Sequence, residues 1–241
     1  MKDKLIALGV IMSAIVTFTG CVAKPQDTEE VKIIEKTQKE DSQNETNSSE
    51  QDANKGGSDL NEKKEVLDQD TNKLTKNMVE DYAKEAMLAL KEKNMDKLSS
   101  LVHPEKGVRF SPYTYVNKDK DLVFTADKLR NLLDDTTKYK WGIYDGIGEP
   151  IELTFSDYYK NFIYDADFIN APQIGYNQAI GKGNVTNNSF DFYKNSIIIE
   201  YHFPSIEEKY EGMDWRSLKL VFEKYKDKWY IVGIIHDQWT I

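Results

Sequence analysis

Apolar residues in the second part of the chain recur first at helical spacing and later at strand spacing. Between about Lys76 and Lys93 they follow a period of three to four residues, which predicts an amphipathic helix. The apolar positions of this helix are Met78, Val79, Tyr82, Ala83, Ala86, Met87 and Leu90. Asn94 is placed to cap a second short helix, and Thr125 and Ser156 are placed to cap a third and a fourth.

Strict alternation of apolar and polar residues begins later in the chain. Residues 197–203 and 218–222 alternate as half-buried strands do, and Lys226-Asp227-Lys228 forms a turn before a final strand over Trp229–Trp239. This last strand is apolar on both faces, which is typical of a central strand or of one covered by helices. Helices followed by strands predict an α+β domain with its helices on one face of an antiparallel sheet.

The composition separates this domain from the segment before it. From Val22 to Thr75 there is no aromatic residue, whereas all 4 Trp and all 14 Tyr lie at Tyr82 or later. Aromatic side chains contribute much of the buried area of a core. The sequence therefore predicts one folded domain over 76–241, preceded over 21–75 by a disordered linker that acts as a tether.

Residues 1–20 have the pattern of an export signal. Lys2 and Lys4 precede an apolar run over 5–18, which is too short to cross a bilayer as a helix. The run Phe18-Thr19-Gly20-Cys21 resembles the lipobox of bacterial lipoproteins, although Phe18 stands where Leu is usual. The resemblance implies cleavage before Cys21, acylation of this cysteine by diacylglycerol and palmitate, and anchoring to the extracytoplasmic face of the cell membrane. An ordinary secretory signal with an incidental cysteine is the alternative.

Charge and cysteine content exclude several classes of function. The chain has 32 Lys+Arg and 41 Asp+Glu, a net charge of −9, which argues against a nucleic-acid partner. Cys21 is the only cysteine, so neither a disulfide within the chain nor a cysteine metal cluster can form. No metal site or cofactor is predicted, because no paired His at helical spacing and no phosphate-binding or dinucleotide-binding glycine motif occurs.

Two stretches resemble the nuclear-transport-factor-2-like (NTF2-like, SnoaL-like) superfamily. The first runs from Tyr82-Ala83 through Leu98 to His103-Pro104 and Gly107-Val108-Arg109-Phe110, and the second is Trp229-Tyr230-Ile231-Val232-Gly233-Ile234. The resemblance implies a curved antiparallel sheet that wraps helices into a cone with an open mouth. It departs over 138–188, which is longer and more irregular than the usual hairpin of the family. The folded part also resembles lipoproteins of low-GC Gram-positive bacteria.

Membership of this superfamily would leave function open. It includes isomerases, dehydratases and proteins without chemistry, and many members form homodimers. An Asp or His at the mouth of the cone can act as a general base, so Asp237 and His236 are the candidate catalytic residues of an enzyme. Alternation places His236 on the face of Val232 and Asp237 on the face of Ile231, which argues against a catalytic dyad.

A second group of residues is a candidate for ligand binding. Arg109, Tyr113 and Tyr115 alternate on a predicted strand and can line a pocket with His202 and Trp239, although a solvated strand face is the alternative. No complete catalytic set occurs. The leading hypothesis is therefore a membrane-anchored protein that binds a small molecule or an envelope protein without catalysis. An isomerase or dehydratase, and a purely structural envelope protein, are the alternatives.

Overall fold

The computed structural model describes residues 32–34 and 58–240, with side chains described from Asp70 onwards. These residues all belong to one compact unit that spans Val31–Ile241. The predicted signal segment, the predicted lipidation site at Cys21 and much of the predicted tether lie outside the described residues.

Helices and strands are interspersed along this part of the chain. Within the described residues the helices are α1 (Ser58–Lys91), α2 (Met95–Ser100), α3 (Ala126–Arg130), α4 (Phe155–Phe162) and α5 (Ser189–Phe192). The strands are β1 (Lys32–Ile34), β2 (Val108–Ser111), β3 (Leu122–Phe124), β4 (Tyr139–Ile143), β5 (Pro150–Leu153), β6 (Gln173–Tyr176), β7 (Ile197–Phe203), β8 (Arg216–Tyr225) and β9 (Lys228–Gln238). No helix in the described ranges is both long and apolar enough to span a membrane.

Most of the described strands form one open, mixed sheet in the order β1-β6-β7-β8-β9-β2-β3, and β4 and β5 form a separate hairpin. Strands β6 to β9 are antiparallel neighbours. β2 instead runs parallel to β9, with Phe110 opposite Ile234. The domain is α+β, as predicted, but the expectation of a wholly antiparallel sheet is wrong. Parallel neighbours need a long connection, and the chain between β2 and β9 supplies one.

The first helix extends further towards the N-terminus than the apolar pattern predicts. α1 begins at Ser58 rather than near Lys76, so the predicted end of the tether at Thr75 falls inside this helix. Leu74 is 67% exposed, whereas Val79 is fully buried. The early turns are rich in Glu and Lys, which favour helix without needing a buried face. Apolar periodicity therefore detects only the packed part of α1.

Side-chain caps fix the starts of the shorter helices. Asn94 Oδ1 accepts a hydrogen bond from Lys97 N at 3.0 Å, which confirms the predicted cap of α2. Thr125 caps α3 as predicted. The prediction of Ser156 as the cap of α4 is wrong. Thr154 caps this helix through Asp157 N at 3.2 Å, and its hydroxyl donates to the Asp157 carboxylate.

Both faces of the sheet are covered by other parts of the domain. On one face, Leu220 and Ile234 belong to a large core that includes side chains of α1, α2 and α4. On the other face, Val221 and Ile235 form a smaller apolar cluster under Tyr193, next to α5. The longer helices thus lie on one side, as predicted, and the short α5 lies on the other.

Candidate functional site

A β-bulge interrupts the alternation of β9 before its polar end. Val221 of β8 pairs with Gly233, whereas the next residue, Phe222, pairs with Ile231. Val232 is left without a partner of its own, so the phase of the strand shifts by one residue. Ile231 therefore lies in the helix-side core, and Val232 lies in the cluster on the opposite face.

This bulge corrects the predicted faces of the last strand. We expected Val232 on the face of His236 and Ile231 on the face of Asp237. In the structure Ile231 shares the face of His236 and Val232 shares the face of Asp237, because the extra residue inverts the alternation. His236 contacts the ring of Phe162 on the helix side. Asp237 contacts a lysine on the opposite side. The two candidate catalytic side chains therefore do not meet.

On the helix side, His236 is held in an ion-pair cluster with Asp165 and Arg216. His236 is fully buried, and its Nε2 lies 3.1 Å from Asp165 Oδ2 while its Nδ1 lies 3.2 Å from the carbonyl oxygen of Pro112. Both ring nitrogens thus face oxygen atoms of neighbouring residues. Arg216 Nε donates to the same Asp165 oxygen at 2.8 Å.

The electrostatics of Asp165 follow from this position. Burial acts to raise the pKa of its carboxyl, but the charges of His236 and Arg216 and the hydrogen bond from His236 outweigh burial and hold the pKa below its usual value. The cluster joins α4's C-terminal loop to strands β8 and β9. Through these contacts His236 links the last strand to the loop after α4.

On the opposite face, Asp237 forms a buried ion pair with Lys219 of β8. Lys219 Nζ donates to Asp237 Oδ2 at 2.7 Å and to Thr114 Oγ1 at 3.2 Å. The Lys219 side chain is completely inaccessible, and that of Asp237 is 3% exposed. Taking two charges out of water is costly, and their mutual attraction offsets the cost only when further hydrogen bonds complete the site.

Glu200 of β7 supplies a second carboxylate to the same buried site. Its Oε1 lies 3.8 Å from Lys219 Nζ and accepts hydrogen bonds from Ser217 Oγ at 2.6 Å and Gly181 N at 2.9 Å. Its Oε2 accepts from Ile180 N at 2.9 Å. Three donors besides the lysine therefore hold this carboxylate in place, and two of them come from the loop that covers it. We call Lys219, Asp237 and Glu200 the buried triad.

His202 lies at the edge of the buried triad. Its Nδ1 is 2.8 Å from Ser217 Oγ, and Ser217 gives its single hydroxyl proton to Glu200, so Nδ1 carries the hydrogen and donates it. Burial, with the charge of Lys219, lowers the pKa of His202 against the opposing effect of Glu200 and Asp237. In a nucleophilic triad the histidine lies between the serine and the carboxylate, whereas here Ser217 lies between His202 and Glu200.

The predicted ligand-binding residues are only partly brought together. Tyr113 and Tyr115 border one small cavity of about 170 Å³, together with Asp121 and Asp145. Tyr113 Oη accepts a hydrogen bond from Asp145 N at 3.2 Å. Both tyrosines lie beyond the end of β2, so the prediction that they alternate on one strand with Arg109 is wrong, since β2 ends at Ser111.

Arg109, His202 and Trp239 do not line that cavity. Arg109 Nη1 donates to three carbonyl oxygens of the 117–121 loop, at 3.2 to 3.3 Å, and the guanidinium lies over the ring of Phe192. Nη1 of this guanidinium is thus engaged within the fold. Trp239 lies at the end of β9 and is 38% exposed. The sequence pattern grouped Arg109 with Tyr113 and Tyr115 because it could not locate the end of β2.

A larger cavity, which the sequence did not predict, lies between α1 and strands β6 and β7. Its volume is about 330 Å³. It is lined by Glu80, Lys84, Met87, Ile169, Ile174, Ile199 and Tyr201. Five of these side chains are apolar or aromatic, and the two charged ones belong to α1. The burial of Tyr201 raises the pKa of its hydroxyl, and the negative charge of Glu80 adds to the shift. The cavity is therefore apolar with a charged margin.

Among residues whose side chains are described, no group of three or more His, Cys, Asp or Glu is arranged to hold a metal ion. In comparisons with known proteins, no family model matches the chain and no curated protein matches its sequence. The described residues form an α+β domain with a mixed sheet, a buried triad on one face and an apolar cavity beside α1.

Proposed function

We propose that this protein is a lipoprotein, held at the extracytoplasmic face of the cell membrane through an acylated Cys21, and that its domain binds a ligand without catalysis. The observation that carries the anchor is the position of the sole cysteine. Cys21 follows directly after Thr19-Gly20 and an apolar run of export-signal length. Several acyl chains on one residue give stable anchoring, since each buried methylene adds about 0.8 kcal/mol.

The domain itself we assign to the NTF2-like arrangement. A helix pair precedes β2, and the antiparallel strands β6 to β9 present an apolar face to α1 and α4. The final hairpin carries the Trp229 to Ile234 stretch that resembles the superfamily.

Binding is supported by the cavity beside α1. Ligand pockets are mostly apolar, have volumes of roughly 300 to 1,000 Å³ and carry a few polar groups that orient the ligand. The cavity of about 330 Å³ has Ile174, Ile199 and Tyr201 on its walls and Glu80 and Lys84 on α1. It suits a small apolar molecule with one polar end. Binding without catalysis is the form we propose because His236 and Asp237 are both buried and engaged with other side chains of the fold.

The anchor is tested with the full chain in bacterial cells grown with labelled palmitate. We expect label on the wild-type protein and its recovery in the membrane fraction. Cys21→Ser should lose the label and leave the membrane, whereas Ser48→Ala in the predicted tether should behave as wild type. A Cys21→Ser protein that stays in the membrane fraction contradicts the proposal.

The ligand site is tested with the fluorescent probe anilinonaphthalene sulfonate, which combines an apolar ring system with one negative charge. Ile174→Trp fills the cavity, and Ile206→Trp adds the same side chain at a residue that is 48% exposed. We expect saturable probe binding that Ile174→Trp removes and Ile206→Trp retains, with circular dichroism unchanged in both variants. Equal binding by all three proteins would place the ligand site elsewhere.

A further inference from the structure

We propose that Lys219 and Asp237 of the buried triad condense into an amide, so that the mature domain carries a covalent link between β8 and β9. The two residues lie on the same face of the hairpin, two residues apart in register, since Lys219 pairs with Ile235 and Asp237 pairs with Ser217. Such diagonal neighbours are within reach of long side chains. The link would be a modification of the fold and is independent of the proposed anchor and ligand.

The reacting groups are already in contact. Lys219 Nζ lies 2.7 Å from Asp237 Oδ2, and Thr114 Oγ1 holds the same nitrogen from another side. A nitrogen in contact with one carboxylate oxygen is about 3.5 Å from the carboxyl carbon, which is the separation of a near-attack arrangement. The side chains cannot swing away, because Lys219 is 0% and Asp237 3% exposed.

Burial also changes which chemical form is favoured. In water an ammonium and a carboxylate are stable ions, but in a dry site their charges lose hydration. The buried triad has one positive and two negative groups, and all three side chains are nearly or wholly inaccessible. Amide formation removes the charges of Lys219 and Asp237. It leaves the charge of Glu200, which already has three hydrogen-bond donors of its own.

Glu200 Oε1 lies 3.8 Å from Lys219 Nζ, and a small approach to hydrogen-bond distance lets it move the proton. The Lys219 ammonium first gives one proton to the Asp237 carboxylate along their hydrogen bond, which yields a neutral amine and a neutral acid. The amine nitrogen attacks the Asp237 carboxyl carbon while Glu200 Oε1, 3.8 Å from that nitrogen, takes a proton from it. Glu200 then returns this proton to the departing hydroxyl. One C–N bond forms, one C–O bond breaks, one water leaves, and Glu200 ends as it began.

Tryptic digestion of the denatured full-length protein tests this link directly. Trypsin does not cut after an acylated lysine, so the peptide Ser217–Lys224 should stay whole and be joined to the peptide that begins at Trp229. The joined pair should be lighter than the sum of the two peptides by about 18 Da, the mass of one water. Recovery of Leu220–Lys224 together with an unlinked Trp229 peptide would overturn the proposal.

Three variants separate the roles. Lys219→Arg keeps the charge but should give no link, and Glu200→Gln should give a link in less than a tenth of the molecules. Lys224→Arg, an exposed position on the same strand, should leave the link intact. A link that forms fully in Glu200→Gln would overturn the role of Glu200. The wild-type digest decides the existence of the link even where a variant fails to fold.

Discussion

The indole of Trp141 stacks on the phenol ring of Tyr158, with ring centroids 3.8 Å apart and planes inclined by 13°. Both side chains are fully buried, and they join the β4–β5 hairpin to α4. Trp141 Nε1 donates to the carbonyl oxygen of Leu153 at 2.9 Å. Tyr158 Oη, by contrast, has no hydrogen-bond partner among the described residues. The pair therefore contributes packing through both rings and leaves one hydroxyl unsatisfied.

Removal of the Tyr158 hydroxyl should not lower the free energy of unfolding. A buried donor without a partner costs about 1 to 3 kcal/mol, so Tyr158→Phe should be as stable as wild type or more stable. Tyr159→Phe is the matched control, since Tyr159 Oη donates to the carbonyl oxygen of Leu90. It should lose about 1 kcal/mol in the free energy of unfolding by urea. The interpretation fails if Tyr158→Phe is the less stable of the two.

The loop over Glu200 should tolerate no side chain at Gly181. A Cβ there would lie 2.8 Å from Ser217 Oγ and 2.8 Å from Trp215 Cζ3. Gly181→Ala should therefore lower the free energy of unfolding by about 1 to 3 kcal/mol, as overpacking does in other cores. The neighbouring Lys182 is exposed, and Lys182→Ala should change little. Urea unfolding compares the two, and equal stabilities would show that the loop is free to move.

Asp165 should be costly to neutralise, because its carboxylate partners both His236 and Arg216. Asp165→Asn leaves the Arg216 guanidinium without its counterion and weakens the acceptor that faces His236 Nε2, and breaking a largely buried pair in this way costs about 3 to 5 kcal/mol. Asp81→Asn is the control, since its ion pair with Lys84 is exposed, and exposed pairs contribute little. An Asp165→Asn protein that unfolds at the wild-type urea concentration would contradict the assignment of this cluster as a support of the fold.

Acidification should destabilise the domain through His103. Its Nδ1 accepts hydrogen bonds from Glu105 N at 3.1 Å and Lys106 N at 3.0 Å, and burial, with the charge of Lys106, lowers its pKa. In the unfolded chain the imidazole of His103 binds a proton below about pH 6.5, whereas in the folded chain it does so only at lower pH. Stability that is complete above that pH is therefore lost as the pH falls towards the lowered pKa of the folded state.

The substitution His103→Asn tests this pH dependence. An asparagine Oδ1 can accept the same two backbone N–H groups and does not titrate. The free energy of unfolding, measured in urea between pH 7.5 and pH 5, should fall less steeply in the variant than in wild type. Some slope should remain, because the pKa of His202 is lowered as well. Identical slopes would show that His103 is not a source of the effect.

Short-range sequence patterns were sufficient to predict those elements whose structure depends on neighbouring residues in the chain. The caps at Asn94 and Thr125 and the strands β7 to β9 follow from short-range patterns of side chains and turns. Patterns of this kind could not reveal the parallel pairing of β2 with β9, because residues far apart in the chain determine it. The same limit applies to the start of α1, whose early turns have no buried face to mark them.

The candidate site was harder to predict for two physical reasons. The bulge at Val232 inverted the faces of the last strand, and only the neighbouring Gly233, a residue that often marks bulges, signals it in the sequence. The buried triad joins Glu200, Lys219 and Asp237 from three strands, and each of these residues alone reads as an exposed charge. The sequence pattern indicated the buried triad in part. Glu200 and Lys219 each stand between two apolar residues, in strands that are covered on both faces.

The lipid anchor is the claim on which the proposed location rests, and the mass of the mature N-terminal peptide tests it most directly. The full chain is expressed in a bacterial host, recovered from the membrane and digested with a protease. We expect its first peptide to begin at Cys21 and to carry a diacylglycerol thioether. A peptide with a free Cys21 thiol, or a chain whose first twenty residues remain attached, would contradict the account.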